Sequence, residues 1–69
     1  ERYLRELGFG TLRVRHHGSV ARLEVAEEDM EKLMSLRAQV YAFFKQLGFN
    51  YVALDLAGYR SGSLNEGLI

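Results

Sequence analysis

The chain has no cysteine among its 69 residues, which excludes disulfides and thiolate zinc sites. It also has no net charge, since nine basic and nine acidic residues cancel. No overall field therefore draws it to nucleic acid or to a membrane surface, and any anion site has to be a local cluster. No apolar run approaches the roughly 20 residues of a membrane span, and no signal-peptide pattern is present. A cytoplasmic location without a membrane partner is the expectation that follows. A domain of this size buries only about 60% of the surface of its unfolded chain. With disulfides excluded, oligomerisation or docking onto a further domain is the remaining route to extra stability. The start at Glu1, directly into a helical pattern, reads as a single domain, residues 1–69, cut from a longer protein. The 48% hydrophobic content is that of an ordinary globular domain and argues against disorder.

An internal repeat organises the chain. Arg5-Glu6-Leu7-Gly8-Phe9 recurs as Lys45-Gln46-Leu47-Gly48-Phe49, and each copy leads into a strand-like run. A glycine just past a helix can adopt the left-handed conformation while the next residue packs back on the helix. Contacts of Phe9 with Leu4 and of Phe49 with Phe44 are predicted. Residues 11–16 and 19–25 alternate around His17-Gly18, a two-residue hairpin turn. Pairing across that turn sets Val14 against Ala21 and Leu12 against Leu23 on one face. Arg15 then lies opposite Val20, Arg13 opposite Arg22, and Thr11 opposite Glu24 on the other. Residues 27–47 read as one long helix, acidic at its start and carrying Lys45 at its end. Met30, Leu33, Met34, Val40, Tyr41, Phe44 and Leu47 form its core stripe. A third strand spans Tyr51 to Leu56, with Val52, Leu54 and Leu56 inward and Tyr51, Ala53 and Asp55 outward. The fold class is α/β (α+β): a small two-layer sandwich in α-β-β-α-β order, with helices on one face of a three-stranded antiparallel or mixed sheet.

Two segments carry more polar chemistry than packing requires. They are Leu12-Arg13-Val14-Arg15-His16-His17-Gly18 and Leu54-Asp55-Leu56-Ala57-Gly58-Tyr59-Arg60-Ser61-Gly62-Ser63. Arginine offers a fixed fork of donors suited to phosphate or carboxylate, and glycine lets backbone amides approach an anion closely. The uncovered sheet face holds Arg13, Arg15, Arg22, Glu24 and Asp55. Arginines directly opposite each other cost stability unless an anion or a carboxylate intervenes. That leaves two readings open, an anion site or a structural ion-pair network closed by Glu24 or Asp55. His16 and His17 point to opposite faces and cannot easily share a metal ion, although His17 at the turn can contact a ligand. The string from Gly58 to Ser63 can present Arg60 and the hydroxyls of Ser61 and Ser63 to a phosphate. It lacks the glycine-lysine ending of a nucleotide loop. No nucleophile with a base is present, so no catalytic residue is assigned.

The first string, followed by Ala21-Arg22-Leu23-Glu24-Val25, resembles the C-terminal domain of the LarE-type ATP-dependent sacrificial sulfur transferases. Leu47-Gly48-Phe49-Asn50-Tyr51-Val52, the second string and Asn65-Glu66 extend the resemblance over essentially the whole chain. The resemblance implies a parent related to the PP-loop ATP pyrophosphatases. Such an enzyme uses ATP and Mg to adenylate a carboxylate on a pyridinium mononucleotide and then inserts sulfur, in many members from its own cysteine. The product feeds the nickel-pincer cofactor of lactate racemase. The resemblance further implies a homo-oligomer, contact with the protein's own N-terminal PP-loop domain, and phosphate binding by Arg13, Arg15 and Arg60. The chain has neither the "SGGxDS"-like ATP loop nor a cysteine, so this piece is expected to bind no cofactor and to be non-catalytic by itself. Two rival functions differ in kind. One is a non-catalytic oligomerisation module whose arginines form structural salt bridges. The other is an RNA-contacting appendage, which zero net charge disfavours.

Overall fold

A computed structural model describes residues 1–60. The short helix α1 (Arg2–Glu6) leads into a hairpin of β1 (Leu12–His17) and β2 (Val20–Val25). A 3₁₀ turn (Glu27–Asp29) opens onto α2 (Met30–Ser35) and α3 (Arg37–Gln46), and β3 (Tyr51–Leu54) closes the order. The sheet order is β1-β2-β3, antiparallel in the hairpin and parallel between β2 and β3. The α-β-β-α-β order and the mixed three-stranded sheet are those expected from the sequence. Leu12, Ala21, Leu23 and Val25 from the strands meet Leu4, Phe9, Leu33, Val40 and Phe44 in one buried cluster. One face of the sheet is thus covered and the other is left to charged side chains. None of the described helices is long and apolar enough to cross a membrane.

The repeat forms two helix ends of the same geometry. The Gly8 amide bonds to the Arg5 carbonyl and the Phe9 amide to that of Leu4; Gly48 and Phe49 repeat the pattern on Lys45 and Phe44. Both glycines have the positive φ this ending needs, 100° and 106°. Phe49 packs with its ring centroid 6.1 Å from that of Phe44, and Phe9 is fully buried in the cluster with Leu4. Each helix therefore turns its chain toward the sheet with three of its terminal carbonyls accepting amides, those of Tyr3, Leu4 and Arg5 in α1 and of Phe43, Phe44 and Lys45 in α3.

Three sequence expectations change. The hairpin register is displaced by two residues: Leu12 pairs with Val25, Arg13 with Glu24, Val14 with Leu23 and Arg15 with Arg22. His17 belongs to the strand, and Gly18 and Ser19 make the turn, Gly18 carrying the positive φ of 57° at its first position. A shift of two preserves the side-chain period, so every residue keeps its face and only its partner changes. The long helix is broken at Leu36 (φ −105°, ψ 14°). The Ser35 hydroxyl donates to the Lys32 carbonyl at 2.6 Å, an acceptor that the Leu36 amide also uses. Such back-bonding by serine bends helices. The break resets the helical phase, leaving Met34, Tyr41 and Leu47 half-exposed or more while Leu33, Val40 and Phe44 keep to the core. The third strand ends at Leu54, and Leu56 is 83% exposed rather than inward. Asp55 ends it. Its Oδ1 accepts from the Ala57 amide at 2.9 Å and its carbonyl from the Gly58 amide at 3.0 Å, a local turn that competes with continued pairing.

Candidate functional site

The uncovered face of the sheet gathers the charges the sequence singled out. Alternation places Arg13, Arg15 and His17 of β1 beside Arg22 and Glu24 of β2. Asp55 joins from the end of β3, anchored by its amide on the Leu23 carbonyl at 2.9 Å. Glu24 is the hub. It is only 5% exposed, and its Oε2 lies 3.5 Å from Nε of Arg15 and 3.4 Å from Nη2 of Arg22. Nη1 of Arg22 reaches Oδ2 of Asp55 at 3.4 Å. A carboxylate buried this deeply needs cationic partners, and it has two.

Arg13 is held separately. Its Nε lies 3.8 Å from Oε2 of Glu1, whose Oε1 lies 3.8 Å from Arg5 and whose Oε2 also accepts the Val14 amide at 3.2 Å. Nothing in the sequence marks Glu1 for this role. An acidic residue before a short helix carried no signal of which strand it would face. The Arg13–Arg22 opposition expected from the sequence is replaced by Arg13–Glu24 and Arg15–Arg22. The like-charged pair is real, but it lies two residues further along β1, and Glu24 bridges it.

The segment after β3 crosses the end of the sheet to reach Arg13. Gly58 makes the crossing possible: its φ is +82°, and a Cβ there would stand 3.1 Å from the Val25 carbonyl oxygen and 3.2 Å from Cε of Met30. The Tyr59 amide then bonds to the Val25 carbonyl at 2.8 Å. The Arg13 guanidinium carbon sits 6.0 Å from the centroid of the Tyr59 ring, a cation–π contact. Glu1, Arg5, Gly10, Thr11, Leu12, Arg13 and Tyr59 line a cleft of about 280 Å³ at this junction. Arg60 follows Tyr59 directly and is exposed.

Arg13 and Arg15 approach their carboxylates through Nε, and among the described residues neither Nη pair makes a hydrogen bond. Their forked ends are thus the portions available to a planar or tetrahedral anion. His17 lies on the same face at the far end of β1 and is exposed; His16 points to the other face, edge-on to Phe49 with ring centroids 5.1 Å apart. Ser61 and Ser63 lie outside the described residues. A larger recess of about 510 Å³ lies elsewhere, between α2, α3 and β3, and its lining is largely aliphatic, with Leu33, Val40 and Leu54 prominent.

The chain is similar to known proteins over nearly its whole length. It is 46% identical over 68 residues to the pyridinium-3,5-bisthiocarboxylic acid mononucleotide synthase of Lactiplantibacillus plantarum, covering 99% of this chain and 25% of that protein. It is 40% identical over 70 residues to an uncharacterised protein of Synechocystis, covering 99% of this chain and 26% of that one. An uncharacterised protein of Methanocaldococcus jannaschii is 34% identical over 61 residues, 88% of this chain and 24% of the relative. The chain thus spans about a quarter of the length of the curated relatives it matches. No family model matches it. The resemblance to a domain of the LarE-type sulfur transferases, read first from two short strings, holds across the chain.

Proposed function

We propose that this chain is the C-terminal, non-catalytic domain of an ATP-dependent sulfur transferase acting in nickel-pincer cofactor biosynthesis. In this reading Arg13, Arg15 and Arg60 hold the phosphate of a pyridinium mononucleotide whose carboxylate is thiolated. The synthase relative supplies the reaction class. One structural observation carries the residue assignment. Arg13 and Arg15 stand on the same uncovered face with their forks unused by hydrogen bonds, beside the crossing segment that leads into Arg60. Two strand residues two positions apart lie about 6.4–6.8 Å from each other, a spacing that lets two guanidinium groups converge on one phosphate. ATP and Mg do not fit the residues at hand: the glycine-serine string lacks the lysine of a nucleotide loop, so no step through either is assigned to this chain. Without cysteine, no thiol sulfur comes from it.

A second reading has its own observation. Arg13, Arg15 and Arg22 each have a carboxylate within 4 Å, as a structural or assembly network requires. Titration with inorganic phosphate and with nicotinate mononucleotide separates the two. Measurable binding of both, lost in the double variant Arg13→Ala/Arg60→Ala, supports the substrate role. Unchanged weak binding in the double variant removes those residues from it. Dissociation of an oligomer in Arg13→Ala by ultracentrifugation, with no anion affinity in the parent chain, favours assembly.

A further inference from the structure

Resting on the anion-site reading above, we infer that Asp55 and Arg22 are positioning residues forming a relay that sets Arg15 by reference to the 55–60 segment. The two arms of the site are thereby ordered together. The contacts form an unbroken series. Asp55 is fixed at three points, by its amide on Leu23, its carbonyl under Gly58 and its Oδ1 under Ala57, at 2.9, 3.0 and 2.9 Å. Its remaining oxygen, Oδ2, takes Nη1 of Arg22 at 3.4 Å. The guanidinium is a rigid plane, so fixing Nη1 also aims Nη2. Nη2 shares Oε2 of Glu24 with Nε of Arg15, at 3.4 and 3.5 Å.

The sharing makes the relay directional. Two guanidiniums draw on one oxygen, while Oε1 of the same buried carboxylate has no hydrogen-bond partner among the described residues. Tethered by Asp55, Arg22 is kept from swinging round to take both oxygens of Glu24. Released from Asp55, it is free to make that two-point grip, and Arg15 loses its counter-charge. Removing Arg22 has the opposite effect at Arg15, because Glu24 then serves Arg15 alone. Asp55 touches neither Arg15 nor Glu24 in any ion pair, so a response at Arg15 reports transmission through Arg22.

The test uses the 69-residue chain, with the Arg15 Nε–H resonance followed by ¹H–¹⁵N NMR and inorganic phosphate as the probe. Asp55→Asn keeps an Oδ1 acceptor for the Ala57 amide and removes the charge facing Arg22. It is expected to raise the mobility and solvent exchange of the Arg15 Nε–H, and to weaken phosphate binding by about 3- to 10-fold, a typical size for coupling within one network. Arg22→Met is expected to slow Arg15 Nε–H exchange while the Ala57 amide exchanges faster. General loosening of the fold would move Arg15 in the same direction in both variants. An Arg15 signal unchanged in Asp55→Asn, or changed alike in both, overturns the relay. If the parent chain binds no phosphate but Arg15 still shifts in opposite directions, the relay stands and the anion assignment falls.

Discussion

Replacing Glu24 by glutamine is the most direct probe of the charged face. The substitution keeps the side-chain volume and one carbonyl oxygen but removes the carboxylate that, among the described residues, stands between Arg15 and Arg22. The nearest nitrogens of those residues are no further apart than the two contacts of 3.5 and 3.4 Å laid end to end. Two unit charges at about 7 Å repel by about 0.6 kcal/mol in water and about 2.4 kcal/mol at an effective dielectric of about 20. Truncating one partner of a fully buried pair costs about 3–5 kcal/mol, but the arginine side chains here are 37% and 38% exposed. Water therefore solvates part of the freed charge, and a loss of about 1–3 kcal/mol is expected. For a domain of this size that is a Tm lower by about 5–20 °C, read by circular dichroism. Salt discriminates the cause. Raising ionic strength from about 0.1 M to about 1 M shortens the screening length from about 10 to about 3 Å, so the deficit should shrink. A deficit insensitive to salt would refute the electrostatic account of this face.

The glycines give an internally controlled set. Gly48 has φ 106° with open space around it, so Gly48→Ala is expected to cost about 1–2 kcal/mol from backbone strain alone. Gly10 has neither a positive φ nor a crowding neighbour, so Gly10→Ala should be neutral or stabilising by up to about 1 kcal/mol in urea denaturation. Equal stabilities for the two would contradict the helix-end geometry. Phe9 is fully buried whereas Leu56 is 83% exposed. Phe9→Ala should therefore cost about 3–5 kcal/mol, enough to unfold much of so small a domain, while Leu56→Ser should change stability by less than about 0.5 kcal/mol.

What could be read from the sequence followed from features with a single physical meaning. The Leu-Gly-Phe repeat demanded a helix end, because the glycine conformation and the returning phenylalanine answer the same unsatisfied carbonyls. The face of each strand residue was legible from alternation, and so was the gathering of Arg13, Arg15, Arg22, Glu24 and Asp55. Their pairing was not. Registers two residues apart put the same residues on the same face, and the choice between His17-Gly18 and Gly18-Ser19 as the turn has almost no hydrophobic signature. The break at Leu36 came from one serine hydroxyl, too weak a cue against an otherwise continuous helical pattern. The part played by Glu1 depends on a contact across 12 residues, and the crossing at Gly58 depends on where the Val25 carbonyl lies. Neither is written in local composition.

The parallel pairing of β2 with β3 also sets an order in time. Val20 meets Tyr51 and Leu23 meets Leu54 across 31 residues, whereas the hairpin closes from a two-residue turn. Closing the longer loop costs more chain entropy before its contacts give anything back. The expected sequence of assembly is the hairpin first, with Arg15, Arg22 and Glu24 already side by side, and β3 last. Asp55 and the segment over Arg13 arrive with that final strand. A chain caught before this step presents three arginines on one face with Glu24 as the hairpin's only counter-charge to them.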